Sequence, residues 1–390
     1  MFIDSPGVSE ANREIRVAVV HYWLLGHRGG EKVLESICRI YPDADIFTLF
    51  YEPDLVSPYL RSRNVIPSFL NPVRRFYRKL LPLMPFALES FDLRKYDLVI
   101  SSESGPAKGV LTSAHTRHVC YCHTPMRYLW ELYPAYRHEF GSRFERMALL
   151  PFATALRTWD FCSAARVDKF LANSRNVERR IWKTYRRRSR VVYPPVDVDR
   201  FYNRPSGNYF LIVSEMVAYK RLDYAIRLFT RTGRRLKIVG DGPDYGRLKK
   251  LSSGCVEFCG RVSDADLAAL YSSCSALIVP GEEDFGITMV EALASGKPVL
   301  ALARGGAAEI VKRDCGILYP EPAESFLEAA LHRFEDPQEM RSPIGIQLHA
   351  RKFSEAAFRH RFQNALSSGA SVKRSTHGLN SQLFYKMRNT

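Results

Sequence analysis

The run Pro280-Gly281-Glu282-Glu283-Asp284-Phe285-Gly286-Ile287-Thr288-Met289-Val290-Glu291-Ala292 gathers the residue types that chemistry needs. Glu283 and Glu291 are carboxylates, each able to accept hydrogen bonds from two neighbouring hydroxyls, which is what a ribose or a hexose offers. The run begins where an apolar, strand-like segment, Ala276 to Val279, gives way to a loop and then a helical pattern. Open α/β sheets bind ligands at the carboxyl ends of their strands. Gly281 and Gly286 allow backbone amides to approach a ligand closely, and the helix N-terminus that follows favours an anion such as a diphosphate. Glu283 falls in the loop and Glu291 about one turn into the helix, so both are expected to face one pocket. His123 is a second candidate. It closes another strand pattern two residues before Pro125 and is expected to face a cleft between two domains.

The elements that position these residues follow from the apolar pattern. Short β-rich runs alternate with longer helical stretches, as parallel α/β layers require. A first series is expected at Arg16–Val20, Asp97–Ser101, His118–Tyr121, Lys169–Ala172 and Arg190–Tyr193, and a second at Tyr209–Val213, Leu236–Val239, Val256–Phe258, Ala276–Val279 and Pro298–Ala301. Two Rossmann-like sheets result. The chain of 390 residues is comfortable for two domains, and 46% hydrophobic residues supply their cores. The expected division is 15–196, then 197–354, with the proline-bearing stretch 194–207 as boundary. Helical spacing continues over 355–366, and the polar, basic residues 367–390 are expected to form a disordered tail.

Fifty-seven Lys and Arg against 41 Asp and Glu give a net charge of +16. Residues 1–196 carry 30 basic and 19 acidic side chains, so most of the excess lies in the first half. An anionic partner is implied: nucleic acid, a membrane surface or a phosphorylated substrate. The stretch Phe69 to Phe86 interleaves Arg74, Arg75, Arg78 and Lys79 with Phe76, Tyr77, Leu80, Leu81, Leu83 and Met84, a mixture suited to an anionic membrane interface or to an ordinary amphipathic surface. The basic run Arg179 to Arg190 is either a solvated helix face or part of the same surface. Met1 to Arg16 is polar and mixed in charge, so no secretory leader is expected. No apolar run approaches the roughly 20 residues of a spanning helix; the longest, Met147 to Leu156, holds Pro151. The eight cysteines lack metal or disulfide spacing and read as buried, reduced thiols of a cytosolic protein.

The Glu283–Glu291 segment resembles the E-x7-E region of retaining glycosyltransferases of family 4, which have the GT-B fold, and the resemblance runs over roughly 15–366. Gly29-Gly30-Glu31 resembles that family's glycine-rich first loop. Tyr121-Cys122-His123-Thr124-Pro125-Met126-Arg127-Tyr128-Leu129-Trp130 is similar to a segment of bacterial mannosyltransferases that assemble surface polysaccharide. Ala172-Asn173-Ser174, Pro194-Pro195-Val196-Asp197, Gly240-Asp241-Gly242-Pro243 and Gly305-Gly306-Ala307-Ala308-Glu309 follow in the family's order. The resemblance implies two facing Rossmann-like domains, with a C-terminal helix crossing back to the first. It implies catalytic roles for His123, Lys220 and Glu283, with Glu283 at the transferred sugar, His123 at that sugar or the diphosphate, and Lys220 at the donor diphosphate. Glu291 would hold the nucleotide ribose, and Gly30, Arg221, Phe285, Gly286 and Ile287 would complete the donor site. Tyr219-Lys220-Arg221 opens a helix pattern, so helix amides would add to the stabilisation of a leaving diphosphate.

One departure stands out. The family usually has an arginine five residues before the lysine, and this chain has Glu215. Either Arg221 supplies that charge, or phosphate binding is weaker, or the enzyme is impaired; Glu215 itself is expected to point away from a diphosphate.

The implied reaction is metal-independent transfer of a hexose, mannose from GDP-mannose, to a glycan or polyprenyl-diphosphate-linked acceptor, by a cytoplasmic protein at the inner membrane face. No cofactor is expected beyond the sugar nucleotide as substrate, and no nucleic acid partner. A sugar-nucleotide epimerase of the same architecture and a basic nucleic-acid-binding protein are the rival readings; no nucleic-acid motif supports the latter. Three D-x-D triplets, Asp43/Asp45, Asp197/Asp199 and Asp264/Asp266, spell the metal signature of a different glycosyltransferase fold. They are read as decoys, the second pair in the linker and the others at helix starts. Gly240-x-Gly242-x-x-x-Gly246 has one residue too many for a dinucleotide fingerprint and fits a strand-to-helix turn.

Overall fold

The computed structural model describes residues 15–133, 143–336 and 342–368. The chain folds as two compact units, Met1–Val191 and Val192–Thr390.

The first unit is built on a seven-stranded parallel sheet. Its strands are β1 (Val17–His21), β2 (Asp45–Thr48), β3 (Val65–Pro67), β4 (Leu98–Glu103), β5 (Arg117–Cys122), β6 (Lys169–Ala172) and β7 (Ser189–Val191), in the order β3-β2-β1-β4-β5-β6-β7. The second unit has a six-stranded parallel sheet of β8 (Phe210–Val213), β9 (Leu236–Val239), β10 (Val256–Gly260), β11 (Leu277–Val279), β12 (Val299–Leu302) and β13 (Gly316–Tyr319), in the order β10-β9-β8-β11-β12-β13. Each sheet grows outward from its first strand in one direction and then returns to build the other side. The reversal falls between β1 and β4 in the first sheet and between β8 and β11 in the second.

Continuous apolar runs make such strands because parallel sheets are covered on both faces. In β11, Leu277 and Val279 join a cluster with Tyr271, Met289 and Leu293, while Ile278 points into another with Leu222, Phe229 and Leu331. All ten anticipated strands are present, with bounds shifted by a residue or two. β2, β3 and β13 were not anticipated, and β3 ends on a proline at the sheet edge, where a missing N–H costs nothing.

Other expectations are corrected. Asp43 lies in a turn and Asp45 opens β2 rather than a helix; Asp45 accepts from Asn64 at 2.6 Å and also bonds Tyr96. Asp264 does open a helix, Asp264–Ser273, and pairs with Arg200 at 2.6 Å. The cysteines are not uniformly buried: Cys38, Cys120, Cys122, Cys274 and Cys315 are, whereas Cys255 and Cys259 are half-buried and Cys162 is exposed. The helical stretch expected at 355–366 is the helix Glu355–Ser367, capped by Ser354. Of the expected tail, residues 369–390 lie outside those described. No helix among the described residues is long and apolar enough to cross a membrane.

The first unit buries an ionic cluster beneath β4 and β5. Lys108, with no exposed surface, has its ammonium on Asp160 and 3.6 Å from Glu103. Asp160 also accepts from Trp130 Nε1 at 2.7 Å and the Tyr185 hydroxyl at 2.9 Å. Burial pushes the Glu103 carboxyl up to about 7, against the pull of Lys108. Removing the ammonium alone strands carboxylates in a dry interior. Lys108→Met is therefore expected to lower unfolding free energy by about 3–5 kcal/mol, read from denaturant titration; a loss under about 1 kcal/mol would show that the cluster relaxes or hydrates.

Candidate functional site

The second unit places its candidate residues where its sheet reverses, which is where open α/β sheets form a crevice. After β8 the chain runs through Ser214 to Val217 into a short 3-10 turn, Ala218–Lys220, and the helix Leu222–Thr232 begins only after Arg221, whose φ of 54° is left-handed. Lys220 thus stands ahead of the helix, not within it as the sequence pattern suggested. After β11 the chain forms the loop carrying Glu283 and enters the helix Ile287–Ala294 at Gly286. Lys220 and Glu283 meet between the two strand ends, Nζ to Oε2 2.5 Å. Ser214, Val279, Pro280 and Gly281 line the same small hollow. Burial opposes the Lys220 charge, but the attraction of Glu283, with Tyr219 and Asp284 behind it, outweighs burial and holds the ammonium above its ordinary value.

This pairing depends on close backbone contact. A β-carbon on Gly281 would come 2.5 Å from the Lys220 carbonyl oxygen, a separation that real side chains do not tolerate. Gly305, at φ 63°, and Gly306 lie as tightly against the backbone of Glu283 and Phe285. Gly306 N–H donates to the Glu283 carbonyl at 2.8 Å, and Glu283 and Gly305 form an isolated parallel bridge. The glycine landmark at 305–306 is therefore the floor under the Glu283 loop. Pro280 is fixed from below by the Tyr224 hydroxyl, which donates to its carbonyl at 2.6 Å.

Glu291 lies one turn into its helix, as expected, and is 5% exposed. The Tyr271 hydroxyl donates to Oε2 at 3.0 Å, and Arg200 stands 3.8 Å from Oε1. Neither partner was visible in the sequence, since each lies on a separate element with no motif around it. The nearest signal was Arg200 beside the Asp197/Asp199 triplet read as a decoy; Asp199 stands 3.7 Å from Arg351, and Arg200 pairs with Asp264 of another such triplet. Phe285 is buried between the Tyr193 and Phe353 rings, each 5.7 Å away, so only its backbone can touch a ligand. Ile287 is half-buried at the start of the helix. Arg221 contacts Asp223 at 3.3 Å, the Pro322 carbonyl and the Tyr224 ring, not the Lys220–Glu283 pair. Glu215 is exposed in the loop after β8. A larger hollow at the amino ends of the same strands surrounds Lys297, whose ammonium is committed to the Arg204 carbonyl at 2.6 Å and Ser206 at 3.2 Å, so it ties loops together.

The first unit arranges its own candidates at its own reversal. His123 follows β5, its N–H donating to the Glu103 carbonyl at 2.7 Å. Its Nε2 lies 3.0 Å from Ser102 Oγ on β4. Gly30 is the second residue of the helix Gly29–Ile40. A β-carbon there would come 2.9 Å from the Tyr22 hydroxyl, so the helix start packs closely against that side chain.

Chemically, the second unit offers a charged lysine with a carboxylate beside it and a second carboxylate held within the next helix. That set can neutralise a polyanion and accept from hydroxyls. Comparison with known proteins bears on which ligand this is. Residues 28–200 match the family model described as Glycosyltransferase Family 4, and residues 199–348 match that of Glycosyl transferases group 1. An uncharacterized glycosyltransferase of Methanocaldococcus jannaschii is 29% identical over 46% of this chain and 52% of its own length. A GDP-mannose-dependent alpha-mannosyltransferase of Mycolicibacterium smegmatis is 38% identical over 25% of this chain and 26% of its own. The chain thus spans about half the length of one relative and about a quarter of the other. The Anabaena protein HepE, solved in complex with UDP, superposes with a TM-score of 0.68 at 17% identity, covering 91% of this chain and 100% of that one. At that identity the likeness shows a shared fold, the GT-B fold.

Tyr271→Phe removes a donor from a buried carboxylate and is expected to cost about 1–3 kcal/mol of unfolding free energy. An unchanged denaturation midpoint would mean that Glu291 is held without it.

Proposed function

We propose that this chain, which matches the Glycosyltransferase Family 4 model over residues 28–200 and the Glycosyl transferases group 1 model over residues 199–348, transfers a hexose from a sugar nucleotide with retention of anomeric configuration, mannose from GDP-mannose in the first instance. The observation that carries this reading is the Lys220–Glu283 pair at the strand ends flanking the sheet reversal. The ammonium suits a diphosphate and the carboxylate a sugar hydroxyl, while Glu291 suits the ribose. Mannose is favoured by the M. smegmatis relative, whose name gives GDP-mannose as donor; the UDP of the HepE complex keeps UDP-sugars in the test.

In the proposed reaction the bond from the anomeric carbon to the diphosphate oxygen breaks as the acceptor oxygen bonds the same face of that carbon. The acceptor proton passes to the departing phosphate oxygen. Lys220 stabilises the charge that develops on the diphosphate, and this fixed cation is why the chemistry is proposed to run without a metal. His123, from the first unit, is proposed to hydrogen-bond the transferred sugar. The acceptor is proposed to be a glycan or a polyprenyl-diphosphate-linked sugar in surface polysaccharide synthesis.

A membrane surface is proposed to present that acceptor. In the stretch Phe69 to Phe86, Tyr77, Leu80, Leu81 and Met84 pack inward. Phe69, Phe76, Leu83 and Phe86 stay exposed, at 61%, 46%, 47% and 68%. Arg75 lies over the Phe76 ring, so at that point a basic and an apolar group lie together at the surface, the mixture that an anionic lipid interface accepts.

A panel of GDP-, UDP- and ADP-sugars should contain one donor that raises the melting temperature and is hydrolysed or transferred, with EDTA making no difference. Product analysis with and without acceptor separates transfer from epimerisation. Stabilisation by none of the panel would sink the reading. Glu291→Ala should abolish the thermal shift, whereas Lys220→Ala and Glu283→Ala should cut turnover about 10²–10³-fold. Binding to anionic liposomes at low salt should fall on Phe76→Ser/Phe86→Ser; absence of binding by the unaltered protein removes the membrane proposal.

A further inference from the structure

His21 ends β1, and Ser102 is its register partner on β4, so the two face each other across the reversal of the first sheet. The His21 ring has no exposed surface. Its Nδ1 lies 3.3 Å from Ser102 Oγ, and the same oxygen lies 3.0 Å from His123 Nε2. His21 Nε2 has no hydrogen-bond partner among the described residues. The His21 ring sits against the Tyr22 ring, centroids 4.3 Å apart. Burial first, then the proximity of His123, lowers the His21 pKa to about 3, with Ser102 opposing, so His21 stays neutral.

One hydroxyl proton serves two contacts, which restricts how protons can be distributed. If both imidazoles donated to Oγ, the buried Ser102 hydroxyl proton would have no acceptor. If His123 donated from Nε2, Ser102 would donate to His21 Nδ1, and His21 would bury an N–H at Nε2 with nothing among the described residues to receive it. The remaining arrangement runs His21 Nδ1–H to Ser102 Oγ, and Ser102 O–H to His123 Nε2. It leaves only a lone pair of His21 unmatched, and buried orphan donors are rarer than under-satisfied acceptors.

We propose that Ser102, fixed by His21, is a positioning residue that holds the His123 ring as its neutral Nδ1–H tautomer. The tautomer is a property of the first unit alone; what the N–H meets rests on the glycosyltransferase reading above. Ser102 sets which nitrogen carries the proton, and His21 sets which way the serine hydroxyl points.

Long-range ¹H–¹⁵N correlation spectra of histidine-labelled full-length protein at a pH where the rings are neutral read this directly, with His123→Asn and His21→Asn used for assignment. The wild-type His123 ring is expected to show protonated Nδ1 and unprotonated Nε2. Ser102→Ala should move it to an Nε2–H or mixed pattern, and Ser102→Thr, which keeps the hydroxyl, should restore the original. An Nε2–H ring in the wild type overturns the proposal even if Ser102→Ala does not fold, as does an unchanged ring in a folded Ser102→Ala. With a hydrolysable sugar nucleotide, Ser102→Ala should lower kcat roughly ten- to a hundredfold with KM little altered, because a wrongly tautomerised histidine offers a lone pair where a donor is needed; a KM effect alone counts against the role. If no donor is hydrolysed by wild type, the functional reading fails while the spectra still decide the tautomer.

Discussion

The second unit depends on a backbone constraint: two chain segments approach too closely for any side chain to stand between them. Gly281 lies against the Lys220 backbone, and Gly305 and Gly306 lie against Glu283 and Phe285. A lysine and a glutamate on mobile loops gain little from pairing, because ordering two long side chains offsets most of the Coulomb attraction. Here the backbones are fixed first, by glycine packing, the Gly306–Glu283 hydrogen bond and the Tyr224 hydroxyl on Pro280. The side chains then meet at little further entropic cost, in a partly dry site where their attraction is stronger.

The first unit solves the same problem with buried polar groups in place of glycine contacts. Parallel pairing of β1 with β4 puts His21 opposite Ser102, and pairing of β4 with β5 brings His123 beside them. Glu103, the next residue after Ser102, carries both functions: its carbonyl receives the His123 N–H, and its carboxyl belongs to the Lys108–Asp160 cluster. Buried charges of this kind add little net stability, but removing one partner is costly, which ties the end of β4 to Lys108 and Asp160. Each unit thus presents its candidate chemistry where its sheet reverses, the place where neighbouring strand ends diverge and leave room.

Burial also redistributes roles among the residues that the sequence motif brought forward. Phe285 belongs to an aromatic cluster with Tyr193 and Phe353, and Arg221 is drawn to Asp223. Both sit within two residues of a site residue, yet the local backbone turns their side chains elsewhere. Arg200 and Tyr271 show the reverse: distant in sequence and without a motif, they hold Glu291. For Arg221 the cause is its own left-handed backbone, which interrupts the helix that a 3.6-residue pattern would have started at Tyr219.

Ten strands, their alternation with helices and the glycine-and-glutamate order were legible in the sequence, because apolar runs and backbone-permissive residues act locally. The positions of Glu283 and His123 in the loops after their strands, and of Glu291 one turn into the following helix, followed from that pattern. The sequence did not contain which side chains would meet. The Lys220–Glu283 pair, the Tyr271 and Arg200 contacts with Glu291 and the His21–Ser102–His123 chain each join residues between 20 and 91 positions apart. Such contacts are set by strand register and by which groups water is removed from. Those are properties of the packed chain, and only the tertiary structure decided them.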